Sequence, residues 1–192
     1  MKDVNGNCRF TAKEALRREL LEMKERDDST RAILAAKGEL DDEAYHPVMK
    51  AVHEENNRRM KEIIREIGWP LESEVGEDGS EAAWLIVQHA VLEPEFQEEC
   101  LALLMAAVEA GEAEGRFFAY LQDRILVRQG KPQIYGTQHD KKAGRVFPFP
   151  TENPEGVNER RRALGLWSQE AHTSHLQQDH DAIQANKTKR HD

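Results

Sequence analysis

The sequence lacks the short signatures of several common catalytic sites. It contains no Gly-x-Ser-x-Gly elbow, no phosphate-binding P-loop, no glycine-rich dinucleotide fingerprint and no His-Glu-x-x-His metal motif. A catalytic or binding site in this chain must therefore be assembled from residues that are distant from one another in sequence.

Long apolar runs, aromatic residues and cysteines are also scarce. No stretch of 18 apolar residues occurs, so we expect no association with a membrane. Residues 1–7 lack the apolar segment of a secretory signal, which predicts a cytoplasmic location. Aromatic residues make up 6% and charged residues 33% of the 192 residues, which is typical of one domain with a modest core. Cys8 and Cys100 show no metal-binding spacing and are expected to be free thiols.

Charge is unevenly distributed along the chain. Residues 1–115 contain 14 Lys and Arg against 27 Asp and Glu, whereas residues 116–192 contain 13 against 9. An acidic surface repels a phosphate backbone, so nucleic acid is not expected as a partner. The basic run Arg160-Arg161-Arg162 is more typical of a solvated helix face than of a binding patch.

Apolar residues recur at helical spacing over most of the chain, which predicts a mainly α, single-domain helical bundle. Leu16, Leu20 and Met23 follow steps of four and three within a helix expected over residues 10–31. Further helices are expected over residues 42–67, 79–92, 94–111, 115–123 and 157–164. The second helix carries a heptad-like inward stripe of Met49, His53, Asn56, Met60, Ile63 and Ile67.

The pattern changes after residue 124. The apolar run Ile125-Leu126-Val127, a turn around Gly130 and the pair Ile134-Tyr135 predict a β-hairpin near residues 125–138. Prolines and glycines between residues 139 and 156 predict a loop. We therefore expect a helical domain with a hairpin over residues 10–167 and a polar, flexible C-terminal tail over residues 168–192.

Six polar residues fall on the inward faces of four predicted helices. They are Asp27, Arg31, His53, Asn56, His89 and Arg124. Burying one such group without a partner costs about 1–3 kcal/mol, so we expect these residues to meet one another or a ligand. Helical bundles build binding sites in this way, from side chains that project inward. His89 stands out because it follows the apolar run Ala83–Val87 and Gln88.

The inward residues also have purely structural interpretations. Asp27 and Arg31 can form a local ion pair one helical turn apart. His53 and His89 can be core histidines that bond a carbonyl, and Asn56 can cap a backbone group.

The end of the predicted hairpin carries residues that suit recognition of a small polar molecule. Tyr135, Thr137 and Gln138 offer directional hydrogen bonds, and Gly136 lets a backbone approach a ligand closely. The alternative is an ordinary strand followed by a turn.

We predict no metal or other cofactor. His53 and His89 are the residues that could bind a metal together with an aspartate, but no metal-ligand spacing supports such a site. His172, His175 and His180 near the C-terminus are expected to bind metals only adventitiously.

Several short motifs follow one another in a specific order over roughly residues 12–167. They are Gly68-Trp69-Pro70, Val75-Gly76, Ala83-Trp84, Gln88-His89-Ala90, Asp123-Arg124, Gln133-x-Tyr135-Gly136-Thr137-Gln138 and Arg161-x-x-x-Gly165-Leu166. The combination resembles a bacterial family, domain of unknown function 6624. The resemblance implies no particular activity, but it points to Gln88, His89, Asp123, Arg124, Tyr135 and Gln138.

We expect an enzyme that acts on a small polar or anionic substrate by hydrolysis or group transfer. The predicted catalytic residues are His89 as general acid or base, Asp123 and Tyr135, with Asp27 as an alternative partner for His89. The predicted substrate-binding residues are Arg124, Gln88, Gln138, Arg31, Asp27 and Arg161. One alternative is a module that binds a small ligand or a partner protein without turnover. Another is a bundle whose polar residues form only an internal network, with Arg124 in an exposed pair with Asp123. No pattern indicates an oligomeric state.

Overall fold

The first two helices begin and end at residues that favour their termini. In the computed structural model, which describes residues 11–40 and 45–188, the first helix follows Thr11. The Thr11 hydroxyl accepts the amide of Glu14, and the Glu14 carboxylate accepts the amide of Thr11, which forms a capping box. Gly38 ends this helix with a φ of +75°. Pro47 is the first residue of the second helix. Backbone N–H groups in the first turn have no acceptor within the helix, so the missing N–H of proline costs no hydrogen bond there.

Seven α-helices and two β-strands are formed by the residues that the structure describes. The helices are α1 (Ala12–Lys37), α2 (Pro47–Ile67), α3 (Glu72–Gln88), α4 (Pro94–Glu109), α5 (Gly115–Arg128), α6 (Val157–Ala163) and α7 (Gln169–Thr188). The strands are β1 (His139–Lys142) and β2 (Arg145–Pro148). This architecture confirms the predicted mainly α fold with one β-hairpin. Among the described helices, none is long and apolar enough to cross a bilayer.

The described residues form two compact units, the first ending at residue 113 and the second beginning at residue 114. In the first unit, α1 packs against α2 and α3, and α3 also packs against α4. Its core contains apolar side chains from all four helices: Leu20, Met23, Met60, Ile63, Val75, Ile86 and Leu104. Each large apolar side chain buried in this way contributes about 1.5–3 kcal/mol, which offsets the cost of polar groups on the same faces. The predicted stripe of α2 is buried from Met49 to Ile63, whereas Ile67 at its end is exposed.

The third helix starts earlier than the sequence predicts. It begins at Glu72 instead of Gly79 and is kinked at Gly76, whose φ of +75° is readily adopted only by glycine. Asp78, next to the predicted start, accepts two hydrogen bonds from Arg17 of α1 at 2.8 and 2.6 Å. The segment after the kink ends at Gln88, so His89 follows as the C-terminal cap residue of α3.

In the second unit, the hairpin lies further along the chain than predicted. Residues 125–128 continue α5, and β1 pairs antiparallel with β2 within the stretch that was expected to be a loop. The predicted position at 125–138 is wrong because Ile125 also continues the buried face of α5, four residues after Leu121 and eight after Phe117. Packing of that face outweighs the strand propensity of a branched side chain.

The C-terminal region contains a helix where the sequence predicts a flexible tail. Residues 169–188 form α7, which packs against β2 and α6. His172 on this helix is buried. The flexibility of the region and a domain boundary near residue 167 stay predictions.

Candidate functional site

Asp27 is the centre of the candidate site in the first unit. It follows Leu20 by seven residues and Met23 by four, so the helical period carries it onto the buried face of α1. Its side chain is only 1% exposed. A buried carboxylate needs partners because removing its charge from water is costly. Two histidines, His53 from α2 and His89 from the end of α3, supply them.

His89 donates an aligned hydrogen bond to Asp27. Its Nδ1 lies 2.7 Å from Oδ2 of Asp27. An ionised carboxylate can only accept, so this contact requires the proton on Nδ1 and leaves Nε2 as the basic nitrogen of the neutral ring. The side chain of His89 is 18% exposed, so the ring connects the buried carboxylate to the molecular surface.

His53 approaches the same carboxylate oxygen from α2. Its Nε2 lies 3.1 Å from Oδ2 of Asp27, but the approach is not aligned for a hydrogen bond. This buried nitrogen therefore has no hydrogen-bond partner among the described residues. On the opposite side of the ring, Nδ1 bonds to the hydroxyl of Tyr45. The ring centroids of His53 and His89 are 5.3 Å apart.

Asp27 is ionised despite its burial. Burial raises the pKa of a carboxyl, but the close contact of His53, the hydrogen bond from His89 and the charge interactions with both rings outweigh it and hold the pKa of Asp27 well below its usual range. Its second oxygen, Oδ1, is buried without a hydrogen-bond partner in the described part of the chain. The described residues therefore satisfy only one of the two carboxylate oxygens.

A cavity of about 230 Å³ opens beside the two histidines. Its lining is mostly polar and consists of Tyr45, Lys50, His53, Glu54, Asn57, His89, Leu92 and Glu93. Pockets for drug-sized ligands usually measure about 300–1,000 Å³, so this cavity suits a smaller molecule.

The charged groups around the cavity are paired. Lys50 lies 3.7 Å from Glu54, one helical turn away. Glu93 accepts from the ammonium of Lys61 and from Asn57 Nδ2, the latter at 3.0 Å. Two carboxylates and one ammonium in the lining give no preference for an anionic ligand.

Asp27, His53 and His89, which we call the Asp27 cluster, also have the chemistry of metal ligands. One ligand atom from each residue lies within 4.8 Å of the other two. The sequence predicts no metal and marks only His53 and His89 as candidates. The structure brings Asp27 beside them as a third group.

Other predicted residues of the first unit lie outside the cavity lining. Gln88 is buried, and its backbone carbonyl accepts from Gln97 Nε2 at 3.2 Å. Arg31 is exposed on α1. Asn56 donates to the backbone carbonyl of Met23 at 3.3 Å, in line with its structural interpretation.

The second unit contains the remaining predicted site residues, grouped around Asp123. This carboxylate is fully buried on α5. It accepts the amides of Ile134, Tyr135 and Thr137 and the hydroxyl of Thr137, at 2.7–3.2 Å. Both oxygens are saturated by the segment 133–138, so Asp123 holds the conformation of that segment.

Arg161 secures the same segment from α6. Its buried guanidinium donates to the carbonyls of Tyr135, Gly136 and Trp167 at 2.5–3.1 Å. Arg161 therefore satisfies backbone acceptors within this unit instead of presenting its donors to an anion.

Three other predicted residues of the second unit have structural contacts or partial burial. Gln138 donates to the carbonyl of Tyr120 at 3.4 Å. The ring of Tyr135 packs edge-on against Phe118, with centroids 6.3 Å apart. Arg124 is half-buried on α5. The catalytic and substrate-binding roles predicted for the residues of this unit stay predictions.

A comparison with known families adds a relationship but no activity. The model described as "Family of unknown function (DUF6624)" matches residues 14–184. The chain belongs to this family. The match confirms the resemblance expected from the motifs, and it includes both the Asp27 cluster and the surroundings of Asp123. Neither the curated proteins nor the solved structures contain a match to this DUF6624 chain.

Proposed function

We propose that this DUF6624 protein is an enzyme that acts on a small polar substrate by hydrolysis or group transfer, with His89 as the general acid or base. One observation carries the proposal: a buried, ionised aspartate lies 2.7 Å from Nδ1 of a histidine that lines a cavity. Asp27 would hold the ring in one tautomer and stabilise the imidazolium that forms when Nε2 takes up a proton. Nε2 would remove that proton from water or from a substrate hydroxyl.

The cavity supports a substrate that is small and not strongly anionic. Its volume of about 230 Å³ has room for only a small molecule. The lining contains the carboxylates of Glu54 and Glu93 and only one ammonium, that of Lys50, which makes a multiply charged anion a poor fit. The polar atoms of Tyr45 and Asn57 can orient such a substrate by directional hydrogen bonds.

The test compares consumption of small molecules by wild type and His89→Gln. Both proteins are incubated with a library of small polar metabolites, and losses are followed by mass spectrometry. We expect wild type to convert at least one compound, and His89→Gln to lose about 100-fold or more in rate, as removal of a general base usually causes. His175→Gln is the matched control because that histidine is about half exposed, in the second unit, and should keep the wild-type rate.

The same experiment separates an enzyme from a binding module. Equal conversion by wild type and His89→Gln would contradict the role of His89. If a compound raises the melting temperature of wild type in a His89-dependent manner but is never consumed, the site binds without turnover and the proposal fails.

A further inference from the structure

Two atoms of the Asp27 cluster are buried without hydrogen-bond partners among the described residues. They are Oδ1 of Asp27 and Nε2 of His53, on side chains that are 1% and 10% exposed. Buried polar atoms in folded proteins are almost always bonded. Two such atoms on adjoining side chains leave the Asp27 cluster with capacity to bind a further group.

The spacing of the cluster fits a metal ion. Its three ligand atoms come from α1, from α2 and from the cap residue that follows α3, and they lie within 4.8 Å of one another. Two atoms that bind a tetrahedral ion at about 2.0–2.1 Å are about 3.3 Å apart. Nδ1 of His89 and Nε2 of His53 lie 2.7 and 3.1 Å from Oδ2 of Asp27, so a small outward rotation of the two rings would admit an ion.

We propose that the Asp27 cluster binds one divalent first-row transition-metal ion of the Zn²⁺ type, through Asp27, Nε2 of His53 and Nδ1 of His89. Two imidazoles and one carboxylate suit Zn²⁺, Fe²⁺ or Co²⁺, whereas Mg²⁺ and Ca²⁺ prefer oxygen ligands alone. Three protein ligands leave a coordination position open, as in catalytic zinc sites. The cavity beside the histidines gives water or a substrate access to that position.

Tyr45 supplies the outer contact that a metal-binding histidine usually has. Its hydroxyl bonds to Nδ1 of His53, the ring nitrogen that would not bind the ion. When the Tyr45 hydroxyl accepts the Nδ1 proton, the lone pair of the ring stays on Nε2 and is available to the metal. The unpartnered Nε2 of His53 is thereby prepared to act as a ligand.

The proposal of a metal site depends only on these contacts. A role for the ion in turnover rests, in addition, on the proposed function. Nδ1 of His89 cannot hold a proton for Asp27 and bind an ion at the same time. In the metal-free protein, His89 would activate water by proton transfer. In the loaded protein the ion would do so, by lowering the pKa of the water that it binds.

The test titrates the full chain, freed of metal by a chelator, with Co²⁺, whose visible d–d absorption reports on its ligands. We expect wild type to bind one equivalent, which Zn²⁺ displaces. Asp27→Asn and His53→Gln should each weaken binding by about 100-fold or more, and Tyr45→Phe by about tenfold.

The control is the double variant His175→Gln/His180→Gln, which removes two histidines of α7 and should bind Co²⁺ like wild type. Circular dichroism verifies that each variant is folded. If a variant unfolds, NMR of wild type provides the second measurement, because Zn²⁺ should shift the ring resonances of His53 and His89 before those of other histidines.

Two results would overturn the metal site: no saturable Co²⁺ binding by wild type, or binding that survives Asp27→Asn and His53→Gln but is lost in the double variant. Its failure can be distinguished from failure of the proposed function. If Co²⁺ does not bind but His89→Gln abolishes turnover, only the metal site is wrong. If Co²⁺ binds at the cluster and no compound is consumed, the metal site stands without the enzyme.

Discussion

Asp27 and Asp123 are both buried carboxylates on helices, yet their surroundings differ. Asp123 accepts four donors from one segment, and both of its oxygens are satisfied. Asp27 has one aligned hydrogen bond from His89, a second histidine at 3.1 Å and an oxygen without a partner in the described residues. A saturated carboxylate organises the chain around it. A carboxylate with one oxygen lacking a hydrogen bond, beside histidines and a cavity, can still bind a ligand.

The same contrast extends to the basic partners. Arg161 in the second unit donates from Nε and Nη1 to backbone carbonyls, so it reinforces the fold. His53 in the first unit has a buried ring nitrogen without a hydrogen bond, so it adds little to the fold at that atom. The two units therefore use similar residue types for different purposes.

The largest effect is expected for Asp123→Asn. The new amide group would point N–H donors at the backbone amides of Tyr135 or Thr137, leaving buried donors unpaired. We expect a loss of about 3 kcal/mol or more in the free energy of unfolding, measured by urea denaturation. Asp179→Asn, at a half-exposed position, is the control. A loss below about 1 kcal/mol in the free energy of unfolding would contradict the structural role assigned to Asp123.

Acid should affect the two units in different pH windows. Burial, reinforced by the charges of His139 and Arg161, lowers the pKa of His172 to about 4. Between pH ~6.5 and the lowered pKa of His172, the ring binds a proton only in the unfolded chain. The free energy of unfolding therefore decreases by up to about 3 kcal/mol as the pH is lowered through this window. The pKa of Asp27 is also lowered. Because folding favours the ionised form of this carboxyl, its contribution to the free energy of unfolding is lost only below pH ~3.9.

Urea denaturation at pH 7 and pH 5 measures the first of these windows. His172→Gln cannot titrate, so its stability should change less between the two pH values than that of wild type. An equal change in both proteins would show that His172 does not carry the acid sensitivity.

A smaller loss is expected for Asp27→Asn than for Asp123→Asn. The asparagine carbonyl can still accept the Nδ1 proton of His89, so only the charge interaction with the histidines is removed. We expect metal-free Asp27→Asn to lose about 1–2 kcal/mol in urea denaturation. A loss as large as that of Asp123→Asn would contradict the difference drawn between the two carboxylates.

A loss of similar size to that of Asp27→Asn is expected for Gly136→Ala. Gly136 has a φ of +64°, and an added Cβ would meet the side-chain amide of Gln169 at 2.3 Å. We expect a loss of about 1–2 kcal/mol from backbone strain and the displaced side chain. Gln169→Ala should relieve the steric part, so a double-mutant cycle by thermal denaturation should show coupling between the two positions. Strictly additive losses would mean that the methyl group added at position 136 does not contact the side chain of Gln169.

Much of the first unit could be predicted from sequence because helical periodicity controls which residues are buried. The steps of four and three that bury Leu20 and Met23 also carry Asp27 inward, and the stripe of α2 brings His53 to the same core. Tyr45 was missed because the inward stripe of the helix predicted over residues 42–67 was assigned only from Met49 onward, and α2 itself begins at Pro47, after Tyr45.

The second unit could be predicted less well because its order depends on contacts between distant residues. The amides that bind Asp123 lie 11 to 14 residues further along the chain, and nothing in the local sequence marks them as its donors. The signature Tyr135-Gly136-Thr137-Gln138 was interpreted as a substrate-binding element, whereas its contacts are with Asp123 and Arg161. A motif shows that residues matter without showing whether a ligand or the fold requires them.

The protonation state of the His89 ring tests the central claim most directly. Long-range ¹H–¹⁵N NMR of the metal-free protein reports which ring nitrogen carries a proton. The contact with Asp27 predicts a proton on Nδ1 of His89, with an Nδ1 resonance that changes in Asp27→Asn and not in Asp123→Asn. A neutral His89 ring with its proton on Nε2 and no response to Asp27→Asn would contradict the claim that Asp27 and His89 form the reactive pair of this protein.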